Sequence, residues 1–162
     1  MIFVLFLIKL QLETKMIQSP FYEDIKTVRD YSVFSFISIG KREIIKIVAF
    51  QKTREDDVYN LAMGDLINSA TFSDREISNN GDVRKVLTTI VNIVQIYTKK
   101  YPERSIFIQG NTDLKTSTYQ RIIRMYYAVF SKEFNIWGYI NNNVKEEFSQ
   151  KNNYVAFIVK RK

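Results

Sequence analysis

No cysteine and no histidine occur in this chain of 162 residues. Without cysteine there is no disulfide framework, no thiolate nucleophile and no cysteine-ligated metal. Without histidine there is no Ser-His-Asp chemistry, no histidine zinc site and no ordinary general base near neutral pH. Any chemistry must run on carboxylates, Tyr, Lys, Ser or Thr hydroxyls, or backbone N–H groups. Proline and glycine are scarce, at two and five residues, so the few turns they mark stand out, among them Gly40-Lys41, Asn80-Gly81 and Gly110-Asn111. A long apolar run is missing as well. Residues Met1 to Ile8 are apolar, but Lys9 interrupts them, well short of the roughly 20 residues a membrane span needs. The basic n-region and small-residue cleavage site of a secretory signal are also lacking. Residues 1–15 are therefore expected to be an N-terminal extension or a surface helix, with Met16 as an alternative start. One globular domain is expected over 16–162, in the cytoplasm and with no membrane partner.

What is present describes a folded basic globule. Hydrophobic residues make up 46% and aromatics 14%, enough for a real core. The net charge of +7 favours anionic partners: a nucleic acid, a phosphate-bearing cofactor or an acidic protein. The same charge also serves solubility alone.

Two runs rich in β-branched and aromatic residues, Tyr31 to Ile39 and Glu43 to Phe50, flank Gly40-Lys41-Arg42 and read as a β-hairpin. Val58 to Asp65 reads as a third strand. Residues 68–81 are polar and irregular, with Phe72 and Ile77 as apolar anchors. From Asp82 to Lys100, apolar residues at 83, 86, 87, 90, 94 and 97 follow one helix face, ended by Tyr101-Pro102. Ser105 to Ile108 is a short strand, and Asn111-Thr112-Asp113 caps a second helix with the stripe Tyr119, Ile122, Ile123, Tyr126, Phe130. Strands follow over Phe134 to Ile140 and Tyr154 to Val159. The predicted fold class is α/β (α+β): a mixed, largely antiparallel sheet with two main helices, in the order β-β-β-α-β-α-β-β.

Two loop–helix starts are candidate ligand-binding sites. At the first, Asn80-Gly81 makes the turn, Asp82 or Asn80 caps the helix, and Arg84 and Lys85 lie in the first turn, where a bound anion would relieve their conflict with the helix dipole. Asp82 could offset that conflict equally well. At the second, Gly110, Asn111, Thr112, Lys115 and Thr116 bring a strand into a helix through a Gly-polar turn with a Lys in the first turn. No G-x-x-x-x-G-K-[ST] loop is present. In a right-handed crossover sheet both starts lie near the same strand ends and can face one crevice. Arg121 and Arg124 either bind phosphate or are solvated. Tyr119 sits on an apolar stripe and reads first as core. Asp65 and Glu76 are isolated carboxylates without metal-ligand spacing.

Four segments, Tyr31-Ser-Val-Phe-Ser-Phe-Ile-Ser-Ile-Gly-Lys-Arg42, Tyr59-Asn-Leu-Ala-Met-Gly-Asp65, Ile77-Ser-Asn-Asn-Gly-Asp-Val-Arg-Lys-Val-Leu87 and Gly110-Asn-Thr-Asp-Leu-Lys-Thr-Ser-Thr-Tyr-Gln120, occur in this order. Together they resemble a family of small uncharacterised bacterial proteins, a domain of unknown function, from about Tyr31 to the C-terminus. That resemblance implies no activity. The element order also resembles the later part of the acyl-CoA-dependent N-acetyltransferase fold. That likeness would put Asn80-Gly81-Asp82-Val83-Arg84 at the pyrophosphate loop, Tyr119 at the position of the Tyr that protonates the leaving thiolate, and a CoA thioester in the site. This chain departs from it in having one Gly in the loop and in residues 68–78 interposed before it. The leading expectation is a domain that binds an anionic ligand or acidic partner at its two loop–helix starts. The alternatives are an acyl-CoA-dependent acyltransferase-like enzyme, a nucleic-acid-binding or toxin–antitoxin component, and a homodimer formed through exposed aromatics among Tyr126, Tyr127 and Trp137.

Overall fold

The structure is a computed structural model and describes residues 20–69, 71–74 and 79–162. The expectations for residues 1–15, Glu76 and Ile77 lie outside the described residues. The strands are β1 (Lys26–Val28), β2 (Val33–Ile39), β3 (Glu43–Lys52), β4 (Val58–Asn68), β5 (Thr71–Ser73), β6 (Ser105–Ile108), β7 (Phe134–Asn141), β8 (Val144–Glu147) and β9 (Ala156–Arg161). The helices are α1 (Val83–Lys100), between β5 and β6, and α2 (Asp113–Glu133), between β6 and β7. The main elements follow the predicted order, and the short strands β1, β5 and β8 are added to it.

The strands form one sheet in the order β1-β2-β3-β4-β6-β9-β7-β8, with β5 paired to β4. Every pairing is antiparallel except β4 with β6, where the α1 crossover makes the two strands run the same way. Val58, Tyr59 and Asn60 pair with Ser105, Ile106 and Phe107. Further along, β4 turns to β5 instead, beginning at Asp65 opposite Ser73. Between these two pairings the β6-side edge of β4, from Leu61 to Gly64, belongs to neither neighbour. This opening is the main feature that the fold offers to a site.

The core lies between the sheet and its two helices. Period-two alternation sends Phe34, Phe36, Val48, Phe50 and Leu61 to the helix side, where they meet Val86, Leu87, Ile90, Ile93 and Tyr97 of α1 and Ile123 of α2. Phe50 stacks on Tyr97 with ring centroids 3.6 Å apart, a pair worth about 0.5–1.5 kcal/mol beyond its buried area.

Three local expectations are corrected. The first long strand begins at Val33 and not at Tyr31, because Arg29, Asp30 and Tyr31 have φ of 53°, 52° and 62° and form the turn out of β1. The Tyr101 hydroxyl braces that turn by donating to Asp30 Oδ2 at 2.6 Å. Phe72 is no buried anchor, since β5 leaves it 38% exposed. Tyr126 is buried and packs on Phe130, because it lies on the inward stripe of α2, so it forms no exposed aromatic face. Among the described residues no helix is long and apolar enough to cross a membrane.

Candidate functional site

The start of α1 is built into the sheet. The β2–β3 turn closes on Asn80: the N–H of Lys41 donates to its carbonyl at 2.9 Å, the N–H of Arg42 donates to Oδ1 at 3.0 Å, and its amide donates to Ser38 Oγ at 2.8 Å and to the Arg42 carbonyl at 2.9 Å. Asn80 is thereby buried and fully used. Gly81 has φ of 86°, the left-handed turn geometry its Asn-Gly context demands. The expected Asp82 side-chain cap does not form. Its carboxylate accepts instead from Tyr22 and from Ser38, each at 2.6 Å. These two hydroxyls turn the carboxylate toward the sheet and away from the N–H groups of the first helical turn. Burial pushes the Asp82 carboxyl up, but the Ser38 and Tyr22 hydrogen bonds and the Lys46 charge outweigh it and hold it below the ordinary range. Arg84 is exposed, and Lys85 lies over the Tyr22 ring, 4.2 Å from its centroid.

The start of α2 is capped as predicted: Thr112 Oγ1 accepts from the Lys115 N–H at 3.2 Å. Thr116 Oγ1 accepts from the Gly110 N–H at 3.1 Å, and the Asn111 amide donates to the Asp74 carbonyl at 3.0 Å. Gly110 lies so close to the backbone of Thr116 and the side chain of Lys115 that a Cβ there has no room. Farther along α2, Arg124 donates to the Asn152 carbonyl at 2.7 Å and to Asn153, beside Gln120, which holds the same loop. Arg124 is thus occupied in packing, and its Nε is buried without a hydrogen bond.

The two helix starts border one crevice of about 280 Å³. Asp82 and Val83 contribute from α1, and Leu114, Lys115, Thr118, Tyr119 and Arg121 from α2, over a floor that includes Val48 and Met63. Lys46 and Asp65 also line it, and they form an ion pair across the β3–β4 register. On the far side of the gap in β4 lies a polar recess with Asn60, Asp74, Gln109, Gly110 and Asn111, and Lys115 and Tyr119 reach this recess too. Of the residues named from sequence, Lys115, Tyr119 and Arg121 line the crevice, Gly110 and Asn111 line the recess, and Asn80, Gly81, Arg84 and Lys85 line neither.

Lys115 and Tyr119 stand one helical turn apart on α2 and occupy the opening together. Lys115 is only 8% exposed, yet among the described residues its ammonium has no ion pair and no side-chain hydrogen bond. The Tyr119 hydroxyl is likewise without a hydrogen bond among them. Burial, reinforced by the Asp74 charge, pushes that phenol up to about 12, so it stays protonated at neutral pH. An ammonium on a packed stem, with no partner among the described residues and beside a free protonated hydroxyl, is an arrangement for receiving an anion. Among the described residues there is no cluster of acidic side chains that could hold a metal ion. Sequence reasoning missed the Lys46–Asp65 pair and Asp74. Lys46 carried a signal: it shares the inward phase of β3 with Val48 and Phe50, where a charge is unexpected.

A family model described as a family of unknown function (DUF6934) matches residues 18–162, nearly the whole chain. No curated protein and no solved structure matches it.

Proposed function

The chain belongs to this family of unknown function, and from its geometry we propose that it is a binding domain that holds the anionic group of a ligand on Lys115, in the crevice between the starts of α1 and α2. One observation carries the reading: the Lys115 side chain is packed at the opening, 8% exposed, and among the described residues its ammonium has no partner. Its packed stem already holds the ammonium in place, so a ligand's negative charge gains a charge-assisted hydrogen bond there at little cost in side-chain ordering. The positive end of the α2 dipole acts in the same direction. Arg121, exposed at the rim, adds attraction at longer range. Titration calorimetry with small carboxylates and inorganic phosphate tests this. Binding is expected, weakened by added salt and lost in Lys115→Glu. Equal binding by wild type and Lys115→Glu would remove the site.

A second reading, acyl transfer from a CoA thioester, is favoured by one observation: the free, protonated Tyr119 hydroxyl faces the gap where β4 parts from β6. It predicts that CoA binds more tightly than phosphate, and that Tyr119→Phe leaves CoA binding intact while abolishing transfer to an amine. Failure of CoA to bind would end this reading.

A further inference from the structure

Beside the crevice lies a second, inner cavity of about 80 Å³ between α1 and α2, partly open to solvent, and Leu87, Ile90 and Tyr119 line both. Apart from Gln95 and the Tyr119 hydroxyl, the inner cavity is lined by aliphatic and aromatic side chains, among them Val94, Ile122 and Phe130. Side chains that line an apolar cavity lack dispersion contacts on its open side, and an apolar guest supplies them.

The charges at the mouth narrow the choice of head group. Lys46 is paired with Asp65, Asp82 is ionised and held by Tyr22 and Ser38, and Asp74 lies in the recess beyond. Among the described residues Lys115 is the packed cation left over, while Arg121 stands exposed at the rim, where water and salt screen it. One negative charge balances Lys115. A phosphate dianion would bring a second charge among three carboxylates in a partly desolvated space, where Coulomb repulsion is strong. A carboxylate also matches the donors present, an ammonium and a phenol hydroxyl, with its two oxygens.

Resting on the anion-binding reading above, we infer that the ligand is an aliphatic carboxylate, with its head group on Lys115 and Tyr119 and its chain lying between α1 and α2 toward Val94 and Phe130. Tyr119 is the pivot. Its hydroxyl donates to the carboxylate, and its ring forms part of the wall along which the chain passes.

The test is titration calorimetry of the full chain with acetate, butyrate, hexanoate and decanoate below their micellar concentrations, alongside inorganic phosphate and CoA. Affinity is expected to rise about fourfold per added methylene until the inner cavity is full, and then to level off. Val94→Phe, or Ile122→Phe where the first variant lowers the Tm, should move that plateau to a shorter chain. Lys115→Met should weaken hexanoate at least tenfold. A chain-length gain that neither variant changes would mean non-specific partition and would overturn the inference. Lys115-dependent binding of phosphate or CoA without any gain from chain length would overturn it while leaving the anion-binding reading intact. No binding by any of these anions would overturn both.

Discussion

A side chain on Gly40 would occupy the space that Asn80 fills. A Cβ there would overlap the Asn80 carbonyl, and that same oxygen accepts the Lys41 N–H at 2.9 Å. The hairpin turn and the start of α1 are therefore one unit, and the α1 side of the crevice is fixed by contacts made within the sheet.

The first prediction concerns this contact. Gly40→Ala should destabilise by about 1–3 kcal/mol, because backbone and not a flexible side chain must yield. Gly81→Ala should cost about 1 kcal/mol, since it strains a positive φ but meets nothing within 4 Å. Chemical denaturation midpoints of the two variants provide the check. A larger loss at Gly81 than at Gly40 would contradict the packing described.

Acid should loosen the same unit. The Asp82 carboxyl is held below its ordinary range, so the stability it contributes is complete above the unfolded pKa, near 4, and is lost as pH falls through the lower folded value. Tyr22→Phe removes one hydrogen bond to that carboxylate, which should cost about 1.5–3 kcal/mol at neutral pH and flatten the loss of stability below pH 4. Urea midpoints between pH 2.5 and 7 measure this. Parallel curves for the two proteins would refute the coupling.

At alkaline pH the sign reverses. The folded Tyr119 phenol titrates at about 12, above the value of about 10 for an unfolded tyrosine. Its contribution is full below pH 10 and is lost as pH rises toward the folded value. Tyr119→Phe should therefore show a shallower fall in stability between pH 9 and 11.5. Identical slopes would show that water already reaches the phenol.

Lys115→Met should leave the Tm of the ligand-free protein unchanged or higher, although the residue is buried. It replaces an ammonium that has no partner among the described residues by an apolar end on a stem of similar length, so the packing of the stem is kept. A gain of about 1 kcal/mol would raise the Tm of a domain this size by about 2–4 °C. A marked loss in thermal unfolding would show that the ammonium has a structural partner.

The helices and long strands were legible because their apolar periods are regular: Val86, Leu87, Ile90 and Tyr97 on α1, and Phe34 and Phe36 on β2. Thr112 was readable as a cap for the same local reason. Lys26–Val28, Thr71–Ser73 and Val144–Glu147 were not legible as strands. Each is too short for alternation to register, and each exists because a longer neighbour offers free backbone groups. At the site, Lys115 was visible as a cation near a helix start, but its burial depends on the gap left by Leu61 to Gly64, which only the pairing of β4 with two partners creates. Asp82 was read as a cap because its competitor, Tyr22, lies 60 residues away in sequence.

At its far end α2 passes directly into β7, with Glu133 the last helical residue and Phe134 the first of the strand. Arg161 and Lys162 clasp that junction through the Glu133 carboxylate and carbonyl, both at 2.9 Å. A helix of this length is a rod of about 30 Å, with Lys115 and Tyr119 at one end. Four residues beyond the other end stands Trp137, the only tryptophan in the chain. No loop intervenes at the joint, so helix and strand share one backbone path, and the fluorescence of Trp137 is the readout that would report a tilt of the rod although the indole does not line the crevice.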